Sequence, residues 1–488
     1  MPVPGTETLV ERTLSNLVGA WHDIANSAAR TVGLKSRPAG NGDPRTTRKL
    51  MAECLEARGG EVSARMRAAE LGRVYLELNS EGRGRFLSTL ARDFALDPEV
   101  VSKAISAYQT ETDPNAKLAA EERLRREVIP PRVRLLKQFN ALPEGVKFLV
   151  DLRADLLPLI DGDPYLRGLD HDLRDLLSSW FDPGFLDLVR ITWDSPASLL
   201  EKLIAYEAVH EIRSWDDLRN RLDSDRRCYA LFHPRMPEEP LTFVEVALVK
   251  GIARNVQALL DEAAPQNDPG DADTAIFYSI SNTQRGLRGV TFGDHLIKQA
   301  VQSLAINLPG LKTFATLSPV PGFRHWLRSC EPAKIDEILQ ESERGGIRAL
   351  GGSDKTQEAL NAVLSEQYWF QDPVKEEALR APLMRLCTAY FHVRGGNGLP
   401  IDAVARFHLK NGARLEQMNW LGDTSVNGLK QSAGIMVNYR YILDDIEKNH
   451  EAYMKDGRIS VGNEVKALAK GLKDIDSSKR NLLHIVGG

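Results

Sequence analysis

The chain has 488 residues, 42% of them hydrophobic and 27% charged, with a formal net charge of −4. That length exceeds a single ordinary core and predicts two or three domains, in a composition that is globular and neither disordered nor fibrous. The small net charge argues against a general nucleic-acid or membrane-surface binder, and no apolar run approaches the ~20 residues of a bilayer span.

The N-terminal stretch MPVPGTETLVERTLSNLVGAWHD mixes acids with bases and holds no apolar signal core, so no secretory peptide is expected. Cys54, Cys228, Cys330 and Cys387 are scattered without C-x-x-C spacing. Free thiols in a reducing compartment, the cytoplasm, are the expectation, with Cys330 buried and inert. The histidines show no ligand spacing, and no metal is expected.

In chain order, the first 180 or so residues read as helices. Ser36–Pro44 (SRPAGNGDP) is dense in glycine and proline and reads as a loop or linker. Asp97-Pro98-Glu99 combines an N-cap, a first-turn proline and an acid at the positive helix end. Pro130-Pro131 must break any helix that reaches it. Leu149, Leu152 and Leu156 have the spacing of one buried helical stripe, and no period suggests a solenoid.

After Trp180-Phe181-Asp182-Pro183-Gly184 the texture changes. The β-like runs Cys228–His233, Thr242–Val249 and Ala275–Ser281 alternate with helical ones, which predicts an α/β sheet. The expected fold is therefore α+β multidomain, with an all-α N-terminal domain over residues 1–183 and an α/β domain over 184–488. Ala264–Asp273 reads as a loop inside the second domain.

Three local signals carry chemistry. In AIFYSISNTQRGLRGVTFGDHLIKQAVQSLA a strand enters a loop with Gly286, Gly289 and Gly293. A helix then starts near Asp294 with Leu296, Ile297, Ala300, Val301 and Leu304 on one face. Strand, glycine loop and helix present unpaired N–H groups to an anion, and Arg285 and Arg288 add charge. The spacing is neither a P-loop nor a Rossmann fingerprint. Gln284-Arg285-Gly286-Leu287-Arg288-Gly289 does resemble the turn with which GNAT acyltransferase folds hold the pyrophosphate of CoA.

In FATLSPVPGF a second strand ends at Ser318, which Pro319 forces into an extended conformation, and Pro321-Gly322 then turns the chain. A serine so placed is aimed, although most Ser-Pro pairs simply end a strand, and no G-x-S-x-G elbow surrounds it. In DAVARFHLKNGA, Asp402 caps a short helix that Asn411-Gly412 ends. His408 then falls in its last turn, where the helix dipole favours a protonated imidazole. A lone histidine between Phe407 and Leu409 is more often structural. In MVNYRYILDD, Asn438 and Tyr441 share a face if the segment is helical.

The runs GLRGVTFGDHLIK, LSPVPGF, FHLKNGA and GIMVNYRY, in this order, resemble the signature stretches of the malonyl-CoA decarboxylase family. WFDPGFLDLVRITWDSPASLLEKLIAYEAVH and HPRMPEEPLTFVEVAL resemble the start of its catalytic domain. The resemblance spans about Gly184 to Ala467 and implies a GNAT-type catalytic domain behind a helical domain that assists assembly into a homo-oligomer, a dimer or tetramer. It implies conversion of malonyl-CoA to acetyl-CoA and CO₂ with no cofactor beyond the CoA of the substrate, no nucleic acid and no membrane. The family's CoA-binding turn falls on Arg288, Gly289, Val290, Thr291, Phe292, Gly293 and Asp294. Its catalytic serine and histidine, which also meet the substrate, fall on Ser318 and His408, and a supporting tyrosine on Tyr441. Ser318 would orient the departing carboxylate or relay a proton and His408 would donate it, or the reverse. Thr291 stands where some members carry a glutamate. The chain ends Val-Gly-Gly, where some relatives carry the peroxisomal Ser-Lys-Leu address. The rival readings are a CoA-dependent N-acyltransferase, a non-catalytic CoA-binding protein and a helical interaction scaffold.

Overall fold

The computed structural model describes residues 19, 21, 44–56, 61–290, 292–395, 398–470 and 472. The expected linker Ser36–Pro44 lies outside them except for Pro44, which opens the first described long helix.

Through Trp180 the described residues are helical: α1 (Pro44–Leu55), α2 (Glu61–Leu76), α3 (Ser80–Asp93), α4 (Pro98–Thr110), α5 (Pro114–Glu127), α6 (Pro131–Phe139), α7 (Gly145–Leu156) and α8 (Pro164–Trp180). An Asp-Pro pair starts three of them. Asp97, Asp113 and Asp163 each accept two backbone N–H bonds from the first turn, and the following proline stands where no N–H is needed. Such a cap is worth about 1 kcal/mol. Pro130 and Pro131 separate α5 from α6, as the sequence predicts. Leu149, Leu152 and Leu156 of α7 are buried with Phe139, Phe148, Leu169 and Leu173 in one apolar core. Each such leucine contributes roughly 1.5–3 kcal/mol.

From Asp187 onward strands appear: β1 (Asp187–Ile191), β2 (Arg226–Phe232), β3 (Thr242–Val249), β4 (Thr274–Asn282), β5 (Thr313–Thr316), β6 (Ser318–Pro319), β7 (Arg414–Asn419) and β8 (Met436–Tyr441). They form one sheet in which β1 to β5 lie side by side in chain order. Next to β5 comes β8, which also pairs with β6 and β7. Buried on both faces, β3 reads as TFVEVALV, apolar from Phe243 onward except for the buried Glu245. β4 and β5 are parallel from Thr274↔Thr313 to Phe277↔Thr316. The crossover between them contains α9 (Gly293–Asn307), whose Leu296, Ile297, Ala300, Val301 and Leu304 are all buried as expected. Past Leu317 the chain no longer follows β4, which runs on to Asn282, but pairs with β8 through Ser318↔Val437 and Pro319↔Met436.

The segment holding Asn438 and Tyr441 is a strand, which corrects the helical reading of their spacing. Val437, Tyr439 and Tyr441 alternate with Asn438 and Arg440, so Asn438 and Tyr441 face opposite sides of the sheet.

The chain divides into two compact units. The first joins the described residues up to Asp187 with those of two later segments, Leu231–Leu241 and Asn282–Phe292; the second holds the described residues of Leu188–Ala230, of Thr242–Ser281 and of the chain from Gly293. No helix among the described residues is long and apolar enough to cross a membrane.

Candidate active site

Three side chains singled out in the sequence meet inside the second unit. Ser318 opens β6, extended before Pro319, and is buried. His408 lies in the last turn of α10 (Ala403–Lys410), whose N-cap Asp402 accepts the Ala405 N–H at 2.8 Å. Tyr441 ends β8. The imidazole Nε2 is 3.2 Å from Ser318 Oγ, and Nδ1 is 2.8 Å from the Tyr441 hydroxyl. His408 also stacks on Tyr439, with ring centres 4.5 Å apart and planes 23° from parallel.

His408 is only 2% exposed, and burial pushes its pKa from 6.5 down to about 3. The expectation of a protonated imidazole is thereby corrected. A helix C-terminus is worth about 0.3–1 kcal/mol to a cation, less than one pKa unit, whereas full burial moves a histidine by several units. The ring is neutral at pH 7, with one nitrogen donating and the other accepting.

Two further groups complete this polar cluster: Thr316, which the sequence reading did not name, and Asn438, which it named only for its spacing from Tyr441. Thr316, at the end of β5, takes a 2.8 Å hydrogen bond from the Ser318 hydroxyl. Asn438, fully buried, donates to the carbonyls of Thr316 (2.6 Å) and Ala253 (3.0 Å). Its Oδ1 accepts from Gln417 Nε2 at 2.9 Å and Asn419 Nδ2 at 2.6 Å. Every hydrogen-bonding position of the Asn438 amide is thus used, as burial demands. Thr316 was legible only in hindsight, as a hydroxyl two residues before Ser318 on an extended strand.

The glycine turn belongs to the first unit as far as Phe292. Arg285–Leu287 forms one short 3₁₀ turn. A Cβ on Gly286 would sit 1.7 Å from the carbonyl oxygen of Val150 in α7, so only glycine allows this approach. Gly289 has φ +83°, the left-handed region, while Val290 and Phe292 are buried anchors. Arg288 and Gly289 are exposed. Thr291 lies outside the described residues; Gly293 and Asp294 open α9.

What holds the turn was missed in the sequence. Arg153, on α7 and 2% exposed, donates from Nη1 to the carbonyls of Gly286 (2.6 Å) and Arg288 (2.8 Å), and from Nε to Asp170 of α8 (2.8 Å). The available signal was an arginine four residues after Leu149, on the face of an otherwise apolar stripe. Elsewhere, Cys54, Cys228 and Cys387 are buried, but Cys330 is half-buried, which corrects the expectation of a buried thiol. Among the described residues no group of three or more His, Cys, Asp or Glu side chains is placed to hold a metal ion.

The family profile described as malonyl-CoA decarboxylase C-terminal domain matches residues 184–481, and that of the malonyl-CoA decarboxylase N-terminal domain matches 94–181. The chain belongs to the malonyl-CoA decarboxylase family. A curated relative from Anser anser anser, the mitochondrial malonyl-CoA decarboxylase, is 39% identical over 419 residues, covering 82% of this chain and 83% of its own. The Rattus norvegicus mitochondrial malonyl-CoA decarboxylase is 37% identical over 402 residues, 79% of this chain and 81% of its own. Among solved structures, the malonyl-CoA decarboxylase of Rhodopseudomonas palustris superposes with a TM-score of 0.78 at 42% identity, over 87% of this chain and 99% of its own. That of Agrobacterium vitis gives 0.77 at 41%, with the same coverage. In the malonyl-CoA decarboxylase setting a helical region followed by a mixed α/β sheet domain is the family architecture, as the sequence predicts.

Proposed function

We propose that the buried chain Tyr441–His408–Ser318 is where this member of the malonyl-CoA decarboxylase family converts malonyl-CoA to acetyl-CoA and CO₂. The observation that carries the proposal is the hydrogen-bonded contact of the serine and histidine from 90 residues apart, extended to Tyr441 through the second ring nitrogen.

In the reaction the bond from the α-carbon to the carboxylate breaks, and its electrons spread into the thioester carbonyl as an enolate while CO₂ leaves. The thioester is itself the electron sink, so the chemistry calls for no separate cofactor. The enolate then takes a proton on carbon. A neutral His408 passes that proton without ever becoming a cation. Ser318 gives its hydroxyl proton to the α-carbon, His408 Nε2–H returns one to Ser318, and Tyr441 O–H supplies Nδ1. A solvent proton restores Tyr441, which balances the one proton that decarboxylation consumes, and His408, left with its proton on Nδ1, regains the Nε2–H tautomer by proton exchange before the next turnover. A positioned proton donor of this kind is worth about 10²–10⁴ in rate.

Binding of the CoA moiety is assigned to the turn from Arg288 to Asp294, with Thr291 in place of the family glutamate. Its support is the left-handed Gly289, the exposed Arg288 and the rigid seat on Arg153. The parallel pair β4–β5 that parts beyond Phe277, with α9 in its crossover, supports the GNAT-type reading of the sheet. Four free cysteines suit a reducing compartment, taken to be the cytoplasm, and a homo-oligomer follows from the family resemblance.

The test mixes purified protein with malonyl-CoA, without added cofactor or metal, and follows acetyl-CoA by chromatography. Stoichiometric acetyl-CoA is expected. CoA binding without any product would overturn the proposal.

A further inference from the structure

Thr316 is fully buried, and its Oγ1 is held from two directions. The Tyr439 backbone N–H lies 3.1 Å from it and can only donate, which fills one of its two lone pairs. The second lone pair meets Ser318 Oγ at 2.8 Å, and the Thr316 carbonyl is pinned by Asn438 at 2.6 Å. The ring of the same Tyr439 stacks on His408. One residue of β8 therefore fixes both neighbours of the Ser318 oxygen, the imidazole through its ring and the threonine through its amide.

We infer that Thr316 is a positioning residue for the decarboxylation, whose hydroxyl sets the direction of the whole hydrogen-bond chain. When Thr316 accepts from Ser318, the serine oxygen is left to accept from His408 Nε2–H, and Nδ1 accepts from Tyr441. All protons then point from Tyr441 toward Ser318, the direction in which a proton must move to reach an enolate. Without the threonine hydroxyl the Ser318 proton turns to Nε2, which forces the opposite histidine tautomer and reverses the chain. This inference rests on the assignment of the chemistry to Ser318 and His408.

Thr316→Val keeps shape and removes the hydroxyl. Its expected effect is a fall in kcat of about tenfold, the worth of one neutral hydrogen bond. KM for malonyl-CoA should stay within about twofold, and the solvent deuterium isotope effect on kcat should rise because proton delivery becomes slower. Thr316→Ser, which restores the hydroxyl, should recover at least about half of the wild-type kcat. Thr316→Ala serves as the hydroxyl-free variant if the valine protein does not fold. Wild-type kcat and isotope effect in the hydroxyl-free variant, beside a Ser318→Ala enzyme that has lost its turnover, would overturn the role of Thr316 alone. Equal losses in the serine and hydroxyl-free variants would overturn it too, since volume and not the hydroxyl would then matter. A Ser318→Ala enzyme with wild-type turnover would remove the site assignment itself.

Discussion

Replacing His408 with glutamine should make the protein's stability less sensitive to acid. Unfolding releases the imidazole from a pKa of about 3 to its ordinary 6.5. Between those values the unfolded chain binds one more proton than the folded one, so stability rises with pH and is lost as pH falls below 6.5. From pH 7.5 to 5.5 this single group costs about 1.4 kcal/mol. The figure holds for any folded pKa well below 5.5, since only the unfolded histidine titrates in that window. Glu245 works in the opposite sense: burial raises its carboxyl to about 8, so it adds stability as pH falls from 8 toward 4.5. That contribution is common to both proteins and cancels in their difference. The assay is urea unfolding of wild type and His408→Gln at pH 7.5, 6.5 and 5.5, followed by circular dichroism and fluorescence. The glutamine protein starts less stable, but the gap should narrow by about 1.4 kcal/mol on acidification from pH 7.5 to 5.5. A gap independent of pH would refute the neutral, sealed imidazole and the relay built on it.

Ser318→Ala and His408→Ala should each lower turnover at least ~10²-fold with folding intact, read from acetyl-CoA release and circular dichroism. Gly289→Val places a β-branched residue at φ +83° and should raise KM for malonyl-CoA, leaving unfolding cooperative; an unchanged KM would make the turn purely structural. Arg153→Met strands Asp170 and removes the donor to the buried Gly286 carbonyl and the part-buried Arg288 carbonyl. It should cost about 3–5 kcal/mol of stability in thermal or urea unfolding and weaken CoA binding measured by calorimetry.

Local rules made part of this site legible. Asp402 and Asn411-Gly412 bracket α10 and place His408 in its last turn, and Pro319 forces Ser318 to be extended. The same rules misled at Tyr441, where the alternation Val437, Tyr439, Tyr441 carried the strand signal and the three-residue spacing to Asn438 carried none. The charge state of His408 was out of reach, because burial under Tyr439 is a tertiary fact and overrides the dipole of a two-turn helix. Arg153 finds its acceptors 133 and 135 residues away, a distance across which no periodicity or cap speaks. The strands β2, β3 and β4 were visible because their apolar runs are buried, while the pairing of β8 with both β5 and β6 depends on a change of partner at Leu317.

The seat of the glycine turn bears on how this protein can be divided. The two family profiles change over between residues 181 and 184, which invites expression of the C-terminal part as a self-sufficient enzyme. A fragment beginning at Gly184 would retain Ser318, His408 and Tyr441, yet it would leave Arg153, Asp170 and the Val150 carbonyl behind. The segment Asn282–Phe292 folds with the helices, not with the strands that flank it in sequence. Gene-level modularity and physical modularity therefore do not coincide, and a recombination or truncation at the profile border would separate Ser318, His408 and Tyr441 from the scaffold of the turn proposed to bind CoA.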